Sequence, residues 1–362
     1  MNLLTCSGVH APHDPLQSAG GAINTVRGKS GSRTVDFHCH AFIPEVETLV
    51  KDRPQKLAEP QMQQRFMGAA SAHYNATTML PAAFPKMTSL DLRLRDMDAM
   101  GVDVQVLSPV SVQHYYWADI DLARDIVCIT NEKLTEACSQ HPDRLVALGN
   151  VALQHPDLAV EQLQHCVVDL GMRGVEISTA VNGLELDDAT FLPFWKKAEQ
   201  LGCIVFIHPF GTSLGERVNR FYLQNIIGQP IETTIALSHL IFGGVLDKYP
   251  GLKILAAHGG GYLPFYPGRS DHGYAARPDS HSMQRAPSEY LRQLYFDTLV
   301  YSPEALRHLI DQVGSAQVVV GTDYPFDMGH YEVHALLRAV PGLSDRDQAA
   351  ILGGNAARLL GL

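Results

Sequence analysis

The 362-residue sequence predicts an α/β protein, a (β/α)8 TIM barrel with an insertion after strand 1 and a flexible N-terminal extension. Short apolar runs rich in β-branched residues recur after residue 34, and helix-like stretches separate them. The eight runs read TVDFHCH, VDVQVLSP, RLVALGNVAL, MRGVEIS, CIVFIHPF, LKILAAHGG, QLYFDTLV and QVVVGTDYP. Strands that alternate with helices are typically parallel and joined by right-handed crossovers. Because an open doubly wound sheet has no reason to stop at eight strands, a closed barrel is the better fit, and the open sheet remains the alternative.

Apolar residues spaced three and four apart predict the helices between these strands. The predicted helices cover residues 118–140, 157–170, 188–201, 230–249, 303–313 and 346–360. Residues 1–33 are rich in Gly, Ser, Ala and Pro without periodicity, so we expect a flexible extension there and the catalytic barrel domain over residues 34–362. Residues 44–87 are too long for a loop between a strand and a helix, and we interpret them as an insertion over the barrel mouth.

The composition is that of an ordinary globular protein. Hydrophobic residues make up 46% and charged residues 18%, and 28 Lys and Arg against 38 Asp and Glu give a formal charge of −10. A negative protein repels polyanions, so we expect no nucleic-acid partner. The sequence has neither an apolar run of about 18 residues nor the core of a signal peptide, so we expect no membrane partner and a cytoplasmic location. Six scattered cysteines without C-x-x-C spacing indicate no cysteine zinc site.

Metal-binding side chains fall at the ends of four of the eight predicted strands. They are His38 and His40 on the first strand, His208 on the fifth, His258 on the sixth and Asp323 on the eighth. The C-terminal strand ends of a (β/α)8 barrel form the face that carries active sites, so residues distant in sequence converge there. An isolated H-x-H motif is a weak signal, but the conjunction of five such residues predicts a site.

The spacing of the first two histidines aims them at one point. Strand side chains alternate between two faces, so His38 and His40 point the same way and Cys39 points to the other side. Three neutral imidazoles and one carboxylate form a ligand set suited to Zn²⁺, with Mn²⁺, Fe²⁺ or Co²⁺ also possible. Because the sequence contains no phosphate-loop or dinucleotide motif, we expect no organic cofactor.

Longer motifs around these residues resemble a known family. VDFHCH, FIHPF, AHGGGYLPFYPGRSDHGY and VVVGTDYPFDMG, in this order, resemble the amidohydrolase superfamily. The resemblance is to the branch of 2-amino-3-carboxymuconate-6-semialdehyde decarboxylase and related nonoxidative aromatic-acid decarboxylases, and it covers about residues 34–362. The HGGG-to-GR segment and TDYPF are its more specific parts, whereas H-x-H is common to the whole superfamily.

This resemblance implies one divalent metal ion, usually zinc, and assigns its ligands. They would be His38, His40, His208 and Asp323. His258 would be the catalytic acid or base beside the ion, and the ion lowers the pKa of bound water toward about 7. Arg269 matches the arginine that in this branch reaches a substrate carboxylate across a dimer interface, which implies a homodimer.

Two departures leave the substrate open. The branch has a second carboxylate-binding arginine after strand 1, but the stretch HYNATTMLPAAFPKMTS holds only one cation, Lys86. The branch also has a tryptophan and an aspartate after the strand-5 histidine, and this sequence has Phe210 and Gly211 there. This makes Phe210 a candidate for substrate binding. The pocket should therefore accept a substrate with fewer carboxylates, or orient its substrate through Tyr115, Tyr116 or Tyr222.

These observations predict a metal-dependent nonoxidative carboxy-lyase acting on a small aromatic or ring-cleavage acid in catabolism. In the alternative, a metal-dependent hydrolase of a lactone, amide or ring-cleavage product would use the same residues, and Asp323 would take the proton. A catalytically silent barrel is disfavoured because every ligand position is filled.

Overall fold

The computed structural model describes residues 33–362, so the predicted extension at 1–33 lies outside the described residues except for Arg33. The eight barrel strands are β1 Val35–Ala41, β2 Val104–Pro109, β3 Leu145–Ala147, β4 Gly174–Ile177, β5 Ile204–Ile207, β6 Lys253–Ala256, β7 Tyr295–Asp297 and β8 Val318–Val319. They form two parallel sheets, β1-β2-β3 and β4-β5-β6-β7-β8. Bridges from Gly149 to Val175 and from Asp36 to Val320 join the sheets. The (β/α)8 fold predicted from the sequence is confirmed.

Helices surround the barrel. They are α1 Pro44–Val50, α2 Pro54–Tyr74, α3 Leu80–Thr88, α4 Leu90–Met100, α5 Ile120–Gln140, α6 Pro156–Gln164, α7 Leu192–Leu201, α8 Gln229–Phe242, α9 Val245–Lys248, α10 Pro267–Ala276, α11 Pro287–Tyr290, α12 Pro303–Val313, α13 Val333–Ala339, α14 Asp345–Ala349 and α15 Asn355–Leu360. The predicted helix at 303–313 has the same bounds as α12, whereas the one at 230–249 divides into α8 and α9 at Gly243 and Gly244. None of the described helices is long and apolar enough to cross a bilayer.

Strand β1 carries an irregularity between Asp36 and Cys39, at the position of His38. Asp36 pairs with Gln105 of β2, but Cys39 pairs with Leu107, so Phe37 and His38 share one partner position. Phe37 packs in the same buried cluster as Phe206, and the His38 ring lies 5.0 Å from the Phe206 ring. A bulge of this kind re-aims side chains, so these two consecutive residues face the same interior.

Beyond the bulge the strand alternates as the sequence predicts. Cys39 is fully buried and packs in the cluster that contains Met97 of α4, on the helix side of the barrel. Its thiol donates a hydrogen bond to the carbonyl oxygen of Val106 at 3.3 Å, and burial raises its pKa well above the usual value. Cys39 therefore lies on the face opposite to its histidine neighbours and packs as a core residue.

Residues 44–87, interpreted from the sequence as an insertion, are mostly helical. Lys56 of α2 contacts Glu47 at 2.7 Å and Glu59 at 2.8 Å, and its ammonium donates to the Tyr115 hydroxyl at 2.7 Å. Farther along α2, Gly68 has a φ of 80°, and a Cβ there would lie 1.9 Å from the carbonyl oxygen of Asn219. These contacts join α2 to the segments that follow β2 and β5, at the C-terminal ends of the strands.

Candidate functional site

Four potential ligand side chains converge at the C-terminal ends of β1, β5 and β8. His38, His40, His208 and Asp323 each offer an atom within 4.8 Å of the others. The Nε2 atoms of His38 and His40 are 3.2 Å apart, and Asp323 Oδ1 lies 3.4 Å from the first and 3.2 Å from the second. The ring of His208 is centred 4.8 Å from His38 and 4.7 Å from His40. The structure thus brings the four predicted ligands together.

A carboxylate lies behind His38. Asp297, the last residue of β7, accepts a hydrogen bond from His38 Nδ1 at 2.7 Å. It also accepts the backbone N–H groups of His258 and Gly259, at 2.9 and 2.7 Å. One buried carboxylate therefore holds both a potential ligand and the turn that carries His258.

A second carboxylate lies behind the other two histidines. Glu176 of β4 accepts a hydrogen bond from the Ser111 hydroxyl at 2.8 Å, and Ser111 Oγ lies 2.8 Å from His208 Nδ1. His40 Nδ1 lies 3.9 Å from the other Glu176 oxygen. His114 also contacts Glu176, through Nε2 at 3.3 Å.

The buried charges shift one another's pKa values. Burial lowers the pKa of His38, but hydrogen bonds to Asp297 and Asp323 outweigh it and raise that pKa to about 10. Burial lowers the pKa of His208 well below the usual value, and electrostatic interactions with His40 and His38 act in the same direction. For Asp323, burial is outweighed by hydrogen bonds to His258 and His38, which hold its pKa well below the usual range. The site keeps its carboxylate charged.

Glu176 follows the same pattern. Burial would raise the pKa of its carboxyl group, but the hydrogen bond from His114 and the charge of His40 together lower it. Burial would likewise raise the pKa of Asp297, but the hydrogen bond with His38 and the charge of His38 outweigh burial and lower it. Both supporting carboxylates are therefore hydrogen-bond acceptors only.

His258 lies at the mouth of this cluster, in the turn after β6. Its Nε2 is 3.8 Å from Asp323 Oδ2, and its side chain is 14% exposed. Three residues around the opening, His258, Tyr301 and Asp323, have left-handed φ values of 54°, 61° and 57°. Left-handed backbone at residues other than glycine is costly and collects at functional sites.

A cavity of about 450 Å³ opens beside His258 and Asp323. Its walls are largely apolar and include Tyr262, Phe265, Leu299, Val300, Tyr301 and Met328. The Tyr301 hydroxyl donates to the Met328 carbonyl oxygen at 2.9 Å. Gln229 also lines the cavity, and its buried Oε1 has no hydrogen-bond partner among the described residues. The cavity suits a flat apolar group with a polar substituent.

A second cavity, of about 430 Å³, lies under α2. Phe210, predicted from the sequence to contact substrate, lines it together with Met62, Phe66 and Tyr116, and its side chain is 54% exposed. Neither cavity is lined by a Lys or Arg of the described part of the chain. Arg269, the predicted carboxylate-binding residue, is exposed on α10 and lines neither cavity. Within one chain, the structure does not bring it to the site.

Sequence reasoning overlooked Asp297, Glu176 and Ser111. Asp297 and Glu176 lie inside two of the predicted strand runs, QLYFDTLV and MRGVEIS, but no role was inferred for them. The available signal was an acidic residue near the C-terminal end of an apolar run, because burying a charge is costly unless it is paired. Ser111 had no comparable signal, since it is an uncharged residue in the short 3-10 helix Ser111–His114 that follows β2.

Residues 35–362 match the family described as Amidohydrolase. The chain is 37% identical to 2-amino-3-carboxymuconate-6-semialdehyde decarboxylase from Dictyostelium discoideum over 274 residues, which cover 75% of this chain and 76% of that protein. It is 28% identical to gamma-resorcylate decarboxylase from Rhodococcus jostii over 290 residues, 75% of this chain and 87% of that one.

The fold also resembles solved structures. One is 5-carboxyvanillate decarboxylase from Novosphingobium aromaticivorans, crystallised with manganese and 3-methoxy-4-hydroxy-5-nitrobenzoic acid. The TM-score is 0.81 and the sequence identity 21%, with 92% of this chain and 99% of that chain covered.

Proposed function

Because this chain belongs to the amidohydrolase family, we propose that it is a metal-dependent nonoxidative decarboxylase of a small aromatic or ring-cleavage carboxylic acid. The observation that carries the proposal is the group of four potential ligands within 4.8 Å, which opens beside His258 into a largely apolar cavity. The relatives described above are named decarboxylases, and one of them is 37% identical. We place the reaction in the catabolism of aromatic compounds.

The proposed ligands of a single divalent ion are His38, His40, His208 and Asp323. Their fit is supported by His208 Nε2, a buried atom without a hydrogen-bond partner among the described residues. We propose Zn²⁺, because three imidazoles and one carboxylate are a ligand set that zinc accepts. Mn²⁺ is the second candidate, since it accepts nitrogen and oxygen ligands and is bound by the carboxyvanillate decarboxylase.

We assign the proton transfer of the reaction to two residues of the chain, His258 and Asp323. When bound, the ion supplies positive charge that stabilises negative charge developing on the substrate. Loss of CO₂ breaks the bond between the carboxylate and the substrate carbon that bears it, and that carbon must gain a proton. His258 lines the substrate cavity together with Asp323. We therefore propose that His258 delivers this proton and that Asp323 orients the imidazole of His258.

Among the described residues, no Lys or Arg lines either cavity. We propose that Arg269, exposed on α10, reaches the cavity of a second copy and binds the substrate carboxylate, so that the enzyme acts as a homodimer. Phe210 stays a prediction from the sequence as a substrate contact, because it lines the second cavity and not the one beside His258. A cytoplasmic location remains a prediction from the sequence.

A substrate screen tests the proposed reaction. Zinc- and manganese-loaded protein is incubated with hydroxybenzoates, semialdehydes, lactones and amides, while released CO₂ and hydrolysis products are measured together. We expect CO₂ release from at least one aromatic acid, and its loss in a His258→Asn variant that retains metal. Hydrolysis of a lactone or amide without CO₂ release would contradict the proposal and favour the hydrolase.

A further inference from the structure

We propose that Glu176 is a positioning residue that acts through Ser111. It keeps the proton of the His208 ring on Nδ1, so that Nε2 is unprotonated and can bind the metal. The inference rests on the metal site proposed above and concerns a residue that contributes no ligand to it. Glu176 lies at the C-terminal end of β4, between the strands that precede Ser111 and His208, and is fully buried.

The direction of the hydrogen bonds follows from the donor inventory. An ionised carboxylate only accepts, so at 2.8 Å the Ser111 hydroxyl must donate its single proton to Glu176. With that proton committed, Ser111 Oγ is an acceptor toward His208 Nδ1, which is also 2.8 Å away. A neutral imidazole carries one proton, so a proton on Nδ1 leaves Nε2 with its lone pair free.

The orientation of His208 fits this assignment. Its Nε2 is buried without a partner among the described residues, while its ring faces those of His38 and His40 at 4.8 and 4.7 Å. An imidazole that binds a metal through one nitrogen commonly donates the other N–H to a neighbouring group, which fixes its tautomer and orientation. Ser111 and Glu176 supply that support for His208.

The same carboxylate also faces a second ligand histidine. His40 Nδ1 and Glu176 Oε2 are 3.9 Å apart, and neither atom has a hydrogen-bond partner within the described chain. A proton on His40 Nδ1 would be attracted to that oxygen, whereas a proton on Nε2 would point toward His38. Glu176 therefore favours the metal-binding tautomer at two ligands, much as Asp297 does at His38.

A purely structural role for Glu176 makes a different prediction. Its bonds to Ser111 and His114 join the turn after β2 to β4, and losing them would lower stability without changing a tautomer. Glu176→Gln separates the two roles because it preserves side-chain shape. The amide of the glutamine can donate a hydrogen bond to Ser111, which lets Ser111 donate its own proton to His208 Nδ1. The ring proton of His208 would then lie on Nε2, which faces the other proposed ligands.

The experiment compares wild type with two variants, Glu176→Gln and Ser111→Ala. The second variant removes the hydroxyl that links Glu176 to His208. Metal affinity is measured by competition with a chromophoric chelator for Zn²⁺ and Mn²⁺. The tautomer of His208 in the metal-free protein is read from imidazole ¹⁵N shifts. We expect affinity to fall by about 10- to 100-fold in both variants, with the Nδ1–H form dominant in wild type and reduced in each variant.

Asp247→Asn is the matched control. Asp247 is a carboxylate on α9 that accepts a hydrogen bond from the Tyr290 hydroxyl at 2.6 Å, so its loss should lower stability but leave metal affinity unchanged. Unaltered affinity and tautomer in a folded Glu176→Gln protein would overturn the inference, and Ser111→Ala decides if Glu176→Gln does not fold. Wild type that binds no divalent ion would instead refute the metal site, while the His208 tautomer would still decide the role of Glu176.

Discussion

His38 Nδ1 lies 2.7 Å from Asp297 Oδ2, and both side chains are fully buried. The contact joins the middle of β1 to the last residue of β7, and the two residues are separated by 259 positions in the chain. Because the same carboxylate accepts the N–H groups of His258 and Gly259, it couples the orientation of a proposed ligand to that of the proposed acid or base.

Replacing Asp297 with Asn should weaken metal binding by about 10- to 100-fold, because His38 loses its charged acceptor. Turnover should fall further than occupancy, since the turn that carries His258 also loosens. Chelator competition gives the affinity, and activity at saturating metal isolates the second effect. Unchanged affinity would show that Asp297 does not support the site.

Replacing His208 with Ala should abolish stoichiometric metal binding, because the loss of a direct ligand is more severe than the loss of a supporting residue. We expect the same for His38, His40 and Asp323. Metal content after dialysis measures the effect. His239→Ala is the control, because His239 lies on α8 and contacts Asp187 at 3.0 Å, outside the proposed site. Full occupancy in the His208 variant would remove that histidine from the ligand set.

Replacing His258 with Ala should preserve folding and metal content but lower turnover by about 10²- to 10⁴-fold, the usual contribution of a positioned acid or base. The side chain is not one of the four grouped ligands, which is why metal should remain. Single-turnover kinetics on the metal-loaded protein provide the measurement. Near-normal rates would assign His258 a structural role.

Replacing Arg269 with Ala should raise KM by about 10- to 150-fold without removing metal, because a charge-assisted contact to the substrate carboxylate is lost. Mixing this variant with His258→Ala tests whether Arg269 acts in a second copy. Each mixed dimer would contain one site with both residues intact, so activity should recover. Absence of recovery in verified mixed dimers of folded, metal-bound chains would contradict the shared site.

The sequence was most informative where the backbone pattern determines position. In a parallel barrel all strands end on one face, so His40, His208 and Asp323 could be assigned to that face from the apolar runs that precede them. Their convergence within 4.8 Å, together with His38, follows from that topology. The alternation that places Cys39 opposite its neighbours is equally local.

The bulge at His38 was not visible in the sequence. It depends on how β1 and β2 pair, with Asp36 opposite Gln105 and Cys39 opposite Leu107. The runs VDFHCH and VDVQVLSP contain no signal for the extra residue that forms the bulge. Register is defined by the pairing of two strands, so the periodicity of one strand does not determine it.

The sequence by itself determined the barrel and the residues that end its strands, because the periodicity of apolar residues is a local property and parallel topology carries it to one face. Only the tertiary structure decided which buried carboxylate supports which histidine, which cavity opens beside His258, and that Arg269 lies away from the site of its own chain. These relationships depend on distances between segments far apart in sequence. Asp297 and Glu176 remain charged in the interior because hydrogen-bond partners from other strands and loops compensate for their burial.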